Sequence, residues 1–217
     1  MSLKRHLRVA PISRSDSVRL CEEYHYSGKA YPKSQVHLGV FWKGDLEGVM
    51  AYGCPIDRRK VLGLVEGTQW HEMCELNRMA FSPCLPKNSE SRALAVSFRL
   101  FKKHAPHIKW LLSYADGAQS GSGAIYRATG WVLTQKKKNG SLYVDHDGTV
   151  LSDIGIRTGD RMQSKIASRI GRPARSHKDF VDAGLVKIDG YQYRYIKILD
   201  EACSLACDTL DYDCARG

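Results

Sequence analysis

The chain has 217 residues, with 33 Lys and Arg against 23 Asp and Glu, for a formal charge of +10. That length suits one domain, or one domain with an appendage, and is enough to bury a sizeable core. Residues 200–217 hold five acids and one base, net −4, which leaves +14 on the first 199. Such an excess favours a polyanionic partner, nucleic acid first, and no apolar run approaches membrane-spanning length. Seven cysteines stand at 21, 54, 74, 84, 203, 207 and 214 without a C-x-x-C pair. Lys4-Arg5-His6-Leu7-Arg8 leads into no apolar core, so reduced thiols in a cytoplasm are the simplest reading. Cys203 and Cys207, one helical turn apart with no further ligands nearby, read as spare thiols on a terminal helix.

In chain order, Leu7 to Ile12 alternates as a first strand. Ser15 or Asp16 can cap a helix whose apolar positions are Val18, Leu20 and Cys21. The helix runs out at Tyr24-His25-Tyr26-Ser27-Gly28, followed by Ala30-Tyr31-Pro32. This is poor helix or strand text, read either as a binding loop or as an aromatic cluster packed under it. Val36 to Trp42 and Leu46 to Tyr52 form two strands around Lys43-Gly44-Asp45. His37 reads as a satisfied structural histidine, and Asp57-Arg58-Arg59-Lys60 as a solvated charged loop. Glu72 to Phe81 is the central strand. Its Glu75 and Arg78, three apart, should point to opposite faces, so at least one looks into a groove. A helix follows from about Ser91 to His104, with Ala93, Val96, Leu100 and Phe101 inward.

The stretch from Trp110 to Trp131 then reads as buried strand, Gly/Ser loop, short helix and new strand. Asp116 ends the strand and Tyr126 lies on the helix. Strand ends of this kind in α/β sheets are where ligands tend to bind. Asn139-Gly140 signals a hairpin between Val132–Thr134 and Leu142–Val144, with Lys136, Lys137 and Lys138 on its arm. Arg161, Lys165 and Arg169 share a helical face, with Met162 and Ile166 nearby for packing. Both basic groups are read as phosphate contacts. Tyr191 to Leu199 is a strand, and the acidic last eighteen residues are a frayed helix or tail. The expected division is residues 1–150 as the catalytic domain and 151–217 as a basic helical and strand extension with an acidic tail.

Several of these segments carry a resemblance. Tyr126-x-x-x-Gly130-Trp131 looks like the late helix of the GNAT acyltransferase fold. Glu75-Leu-Asn-Arg-Met-Ala-Phe-Ser82, Asn88-Ser-Glu-Ser-Arg-Ala-Leu94 and Ser113-Tyr-Ala-Asp-Gly-Ala-Gln-Ser120 resemble the Mom DNA-modification proteins of Mu-like phages, closely over the first 150 residues and more loosely beyond. The resemblance implies an α/β, GNAT-like fold with a mixed, mostly antiparallel central sheet flanked by helices. It implies a transferase in the bacterial host cytoplasm that places a carbamoylmethyl group on N6 of adenine in double-stranded DNA, protecting phage DNA from restriction. His25 and Tyr26 match an active-site motif of that family, and Tyr126 matches a GNAT helix tyrosine that serves as acid.

The chemistry adds further expectations. Adenine N6 is a poor nucleophile hidden in the duplex, so the base is expected to be flipped out, with Tyr24, Tyr26 and Tyr31 as stacking surfaces. Asp116 is the group chosen to accept a proton from N6. Pro86-Lys87-Asn88-Ser89-Glu90-Ser91-Arg92 occupies the place of the GNAT pyrophosphate loop but lacks its glycines. Ser91 and Arg92, with Arg78, are read as cofactor-binding, by charge and helix dipole. The donor is open: acetyl-CoA or another CoA thioester. Forming a bond at a methyl carbon is not simple thioester aminolysis, so iron is a further expectation, with His25, His37, Glu75 and Asp116 as donors. The alternatives are a catalytically silent GNAT-like DNA-binding module and an ordinary CoA-dependent N-acetyltransferase. Carboxylates inside a basic groove argue against a pure binder, since they repel phosphate.

Overall fold

A computed structural model describes residues 6–55, 57–119 and 121–215, without the side chains of Thr158, Asp160 and Arg161. The chain divides into two compact units, Met1–Ala115 with Ser122–Gln135 and Tyr193–Gly217, and Asp116–Gly121 with Lys136–Gln192. The boundary expected near residue 150 falls inside the second unit. Among the described residues, no helix is long and apolar enough to cross a membrane.

The first unit is built on β1 (Leu7–Pro11), α1 (Arg14–Tyr24), β2 (Ser34–Trp42), β3 (Asp45–Gly53), β4 (Met73–Phe81), α2 (Ser89–His104), β5 (Trp110–Asp116), α3 (Ala124–Ala128) and β6 (Val132–Lys138). Ser13, not Ser15 or Asp16, caps α1: its Oγ accepts the Asp16 N–H at 3.1 Å, which places Asp16 in the electropositive first turn. Lys43 and Gly44 both take positive φ, the geometry of the two-residue turn that joins β2 to β3. Leu20 and Cys21 of α1 pack on Val49 and Ala80, on one face of the sheet. Ala93, Leu94, Phe98 and Phe101 of α2 pack on the other face, against Leu38, Val40, Met50, Tyr52 and Leu76.

The second unit holds β7 (Leu142–Val144), β8 (Val150–Ser152), α4 (Asp153–Thr158), α5 (Asp160–Ile170), α6 (His177–Asp182) and β9 (Val186–Ile188). β10 (Tyr191–Ile198) then returns the chain to the large sheet, whose order is β1-β2-β3-β4-β5-β10-β6. That sheet is mostly antiparallel, with β4 and β5 parallel. The small sheet runs β8-β7-β9.

Two expectations fail here. Asn139-Gly140 is not a hairpin, because β6 joins the large sheet while β7 pairs with β8 and β9. Neither residue takes the positive φ that a two-residue turn of that type needs. Nor is the acidic tail frayed or helical at Cys203 and Cys207. Residues 64–66 and 204–206 clasp each other, with Glu66 N–H donating to Ser204 O at 2.9 Å and Ala206 N–H to Leu64 O at 3.0 Å. Further on, Tyr212 stacks on Tyr195 with ring centroids 6.5 Å apart, and Ala215 is buried in the core.

Candidate active site

The large sheet opens at its centre. β4 and β5 pair only at Met73–Trp110, Cys74–Leu111 and Glu75–Leu112. Beyond that point a side chain replaces the ladder: Ser113 Oγ donates to Leu76 O at 3.3 Å and sits 2.8 Å from the Tyr126 hydroxyl. Tyr126 is buried, stacked on Tyr195 at 4.8 Å and edge-on to Trp131 at 5.2 Å. Burial pushes its phenol up to about 12, so it keeps its proton at neutral pH.

β4 also carries a bulge that changes which groups meet. Gly53 pairs with Glu75 and Tyr52 with Leu76, but Ala51 pairs with Arg78, so Asn77 is the extra residue. Gly53 and Ala51 are two apart on β3 and share a face, and their partners Glu75 and Arg78 therefore do so too. The expectation of opposite faces is overturned by this one residue. Ala80, in step with Arg78, packs under α1, so the pair lies on the α1 side.

The Glu75 carboxyl is lifted to about 7, chiefly by burial, while Asn77 and Arg78 pull it the other way. Burial outweighs the pull of Arg78, whose described hydrogen bonds go to backbone carbonyls. Nε donates to Lys29 O at 3.0 Å, Nη1 to Asn77 O at 2.7 Å, and the group lies 5.7 Å from the Tyr31 ring. Arg78 is thus a strut fastening the loop after α1 to β4, on the face opposite α2 and its Ser91 and Arg92. Asn77 accepts the Ser34 hydroxyl at 3.1 Å.

That loop begins at His25. Its Nδ1 accepts the Ser27 N–H at 3.1 Å, which leaves the proton of the neutral ring on Nε2. Burial first, and Arg78 second, lower the imidazole to about 4, so His25 offers an N–H donor at neutral pH rather than a base. Tyr26 leans on His25 with centroids 4.2 Å apart and is 53% exposed. Of the three tyrosines expected to stack a base, only Tyr26 is exposed. Tyr24 packs beside Leu20 and Cys21, and Tyr31 lies beside the Arg78 guanidinium.

The other expected groups have the following surroundings. Asp116 closes a turn, its Oδ1 accepting the Ala118 N–H at 3.0 Å, and burial raises its carboxyl. It does not cap α3, whose N-cap is Gly123. At the start of α2, Asn88 takes φ 69°, the left-handed conformation that the missing glycines would otherwise supply and that asparagine tolerates. Ser91 Oγ bonds Asn88 O at 3.2 Å, and Arg92 is exposed on the first turn. His37 Nδ1 bonds Ser17 Oγ at 2.9 Å and is structural.

In the second unit, Arg169 holds the fully buried Asp145 carboxylate by two bonds of 2.7 and 2.9 Å. Lys165 reaches Asp145 at 3.0 Å and Asp147 at 3.1 Å. The Arg169 bonds come first in holding Asp145 far below the usual carboxylate range. Arg161 lies outside the described side chains. Lys136 lies 4.4 Å from the Tyr191 ring and Lys138 pairs with Asp189 at 3.1 Å, while Lys137 is exposed.

Among the described residues no three His, Cys, Asp or Glu side chains converge on a possible metal position, so the expectation of iron has no donor set. Sequence reasoning passed over two members of the cluster, Ser113 and Asn77. Both were visible as lone polar residues in apolar strand text, but their roles depend on the fork and the bulge.

The architecture matches solved acetyltransferases at low identity. An assigned phosphinothricin N-acetyltransferase aligns with TM-score 0.50 and 12% identity over 90% of this chain and 99% of its own. The assigned acetyltransferase yncA of Salmonella typhimurium, solved with its cofactor acetyl-CoA, aligns with TM-score 0.50 and 9% identity over 90% and 95%. The fold is therefore GNAT-like. In sequence, the chain is 29% identical over 197 residues to the methylcarbamoylase mom of Escherichia phage Mu, covering 91% of this chain and 77% of the relative. Residues 6–213 match the Mom protein family, and the chain belongs to that family.

Proposed function

We propose that this chain is a transferase that modifies N6 of adenine in double-stranded DNA, adding a two-carbon amide group that shields phage DNA from restriction. The observation that carries the reading is the Mom family match across residues 6–213. The cluster at the fork supports it, because it supplies the proton-handling groups such a transfer needs. The family resemblance gives the added group as carbamoylmethyl, CH2–CO–NH2. The name of the phage Mu relative gives the isomer methylcarbamoyl, CO–NH–CH3. The second isomer forms at a carbonyl carbon, which is ordinary acyl transfer.

Glu75 is the base in this reading. Its carboxyl, lifted to about 7, is partly ionised at neutral pH and can take the proton that N6 sheds as the new carbon–nitrogen bond forms. Tyr126 holds a proton beside Ser113 and can deliver it to a leaving group. Tyr26 offers the stacking face for an extruded adenine, and His25 directs its Nε2–H donor at an acceptor on the base or on the transferred group. Arg78 keeps both in place through the Lys29 carbonyl. Asp116 remains a proposed partner of the N6 amine, alongside its role in the turn.

The first turn of α2 fits a phosphate. Ser89 N–H is taken by Pro86 O at 3.1 Å, but Asn88 bends the backbone, the helix N-terminus is electropositive and Arg92 is exposed there. Ser91 and Arg92 would hold the phosphates of a CoA-type donor, which supplies the activated carbon when bound. Mass spectrometry of nucleosides from DNA of cells expressing the chain tests the proposal. A modified deoxyadenosine is expected. Because the two isomers have equal mass, fragmentation distinguishes them: loss of methyl isocyanate marks the methylcarbamoyl urea. DNA with only unmodified deoxyadenosine would overturn the reading.

A further inference from the structure

The first unit carries an exposed basic edge that the chemistry above does not use. β3 ends at Gly53, opposite Glu75, and residues 54–72 then form a long connection back to β4. Near its start, Asp57 caps the 3-10 turn Arg58–Lys60 by accepting the Arg59 N–H at 3.0 Å. The side chains of Arg59 and Lys60 are 92% and 77% exposed, and both lean on the same Asp57 carboxylate, at 3.5 and 3.7 Å. Arg58 lies with its guanidinium 5.6 Å from the Trp70 ring. One carboxylate among three cations leaves net positive charge, and exposed pairs of this kind are weak enough to open for a better anion.

The turn stands on a firm base. Val61, Leu64 and Val65, just after it, are buried with Met73, Trp110, Leu112 and Ile196, and the C-terminal clasp holds the same segment. Lys29 and Lys33, exposed on the loop of His25 and Tyr26, stand at the same end of the sheet. Ser34 pairs with Gly53, and the Lys33 carbonyl lies directly against Gly53. Five cations therefore border the sheet end that carries Glu75. The second unit differs: Lys165 and Arg169 are already matched by Asp145 and Asp147.

We propose that Arg58, Arg59 and Lys60, with Lys29 and Lys33, bind the phosphodiester backbone of duplex DNA beside the adenine being modified. The inference rests on the DNA-modifying reading and names the surface that holds the duplex. Duplex DNA presents a dense line of charge that a row of cations neutralises with release of counterions. An arginine set against an aromatic face, as Arg58 is, is well suited to phosphate. Such contacts position the protein without reading sequence, which leaves the choice of base to the loop carrying Tyr26.

The test is fluorescence anisotropy of the full chain with a labelled duplex across a salt series. The triple variant Arg58→Ala/Arg59→Ala/Lys60→Ala is compared with Arg99→Ala/Lys102→Ala/Lys103→Ala, which removes equal charge from the exposed face of α2. The first should flatten the plot of log affinity against log salt by about 0.9 per lost contact, up to about 2.7 for three, and the second should leave it near wild type. An unchanged slope in the first variant, or equal flattening in both, overturns the proposal. Failure of the functional reading looks different: the unmutated chain would bind DNA with the expected salt dependence yet leave every deoxyadenosine unmodified.

Discussion

Two regions hold carboxylates withdrawn from water, and they treat them in opposite ways. In the second unit Asp145 is met by Arg169, Lys165 and the His146 backbone, and its charge is fully matched. At the β4–β5 fork Glu75 has an arginine nearby, but the described hydrogen bonds of Arg78 go to Lys29 O and Asn77 O, and burial dominates the carboxyl. The first arrangement stabilises a small unit. The second leaves a carboxyl near neutrality, which is a poor way to add stability and a good way to handle protons. Lys165 and Arg169 of α5 thus meet carboxylates of their own unit, while the carboxyl on β4 is governed mainly by burial.

Glu75→Gln is expected to break the contrast most sharply, lowering turnover by about 10²- to 10⁴-fold and removing the acidic limb of the pH profile. The same variant should gain stability at high pH. The unfolded carboxyl ionises near 4.5 and the folded one near 7, so stability falls as pH rises between these values. Gln removes that fall, about 2–3 kcal/mol by pH 8, readable from urea melts at pH 4 and pH 8. A lower stability of Gln at pH 8 would mean that the Glu75 charge is matched after all.

Asp145→Asn tests the other side. It should cost about 2–3 kcal/mol, less than a fully buried pair, because Lys165 and Arg169 can turn towards water. Unaltered thermal unfolding would show that the network carries no structural load.

Tyr126→Phe removes the hydroxyl beside Ser113. Stability should drop by about 1 kcal/mol, while turnover falls by about 10²-fold or more with the Michaelis constant for DNA unchanged. Arg92→Ala should weaken binding of a CoA-type donor by about tenfold with DNA affinity unchanged, by calorimetry; no binding by the unmutated chain would remove that donor. Asp116→Asn has the smallest structural effect, within about 0.5 kcal/mol, since asparagine can close the same turn. Full activity in that variant would leave only the turn.

Much of the fold was legible because its signals are local. Lys43-Gly44 sets a turn, Trp110-Leu111-Leu112 is apolar strand text, and the pattern around Tyr126 to Trp131 marks the short helix and its end. The site was legible only as a set of residue types. The faces of Glu75 and Arg78 were misread because nothing near Asn77 announces a bulge; it arises from pairing with β3. Asn139-Gly140 looked like a hairpin, but its flanking strands found partners in different sheets. The tail looked frayed because its acids were counted, while Leu205, Leu210 and Tyr212, which pin it, were not. Lys165 and Arg169 looked free because Asp145 lies far from them in sequence.

The most direct test of the central claim is the titration of Glu75 itself. In protein labelled with carbon-13 at the glutamate side-chain carboxyl, one resonance should titrate near pH 7 and vanish in Glu75→Gln. If every glutamate resonance titrates near its ordinary value of about 4.5, Glu75 is an ordinary carboxylate and the account of the fork is wrong.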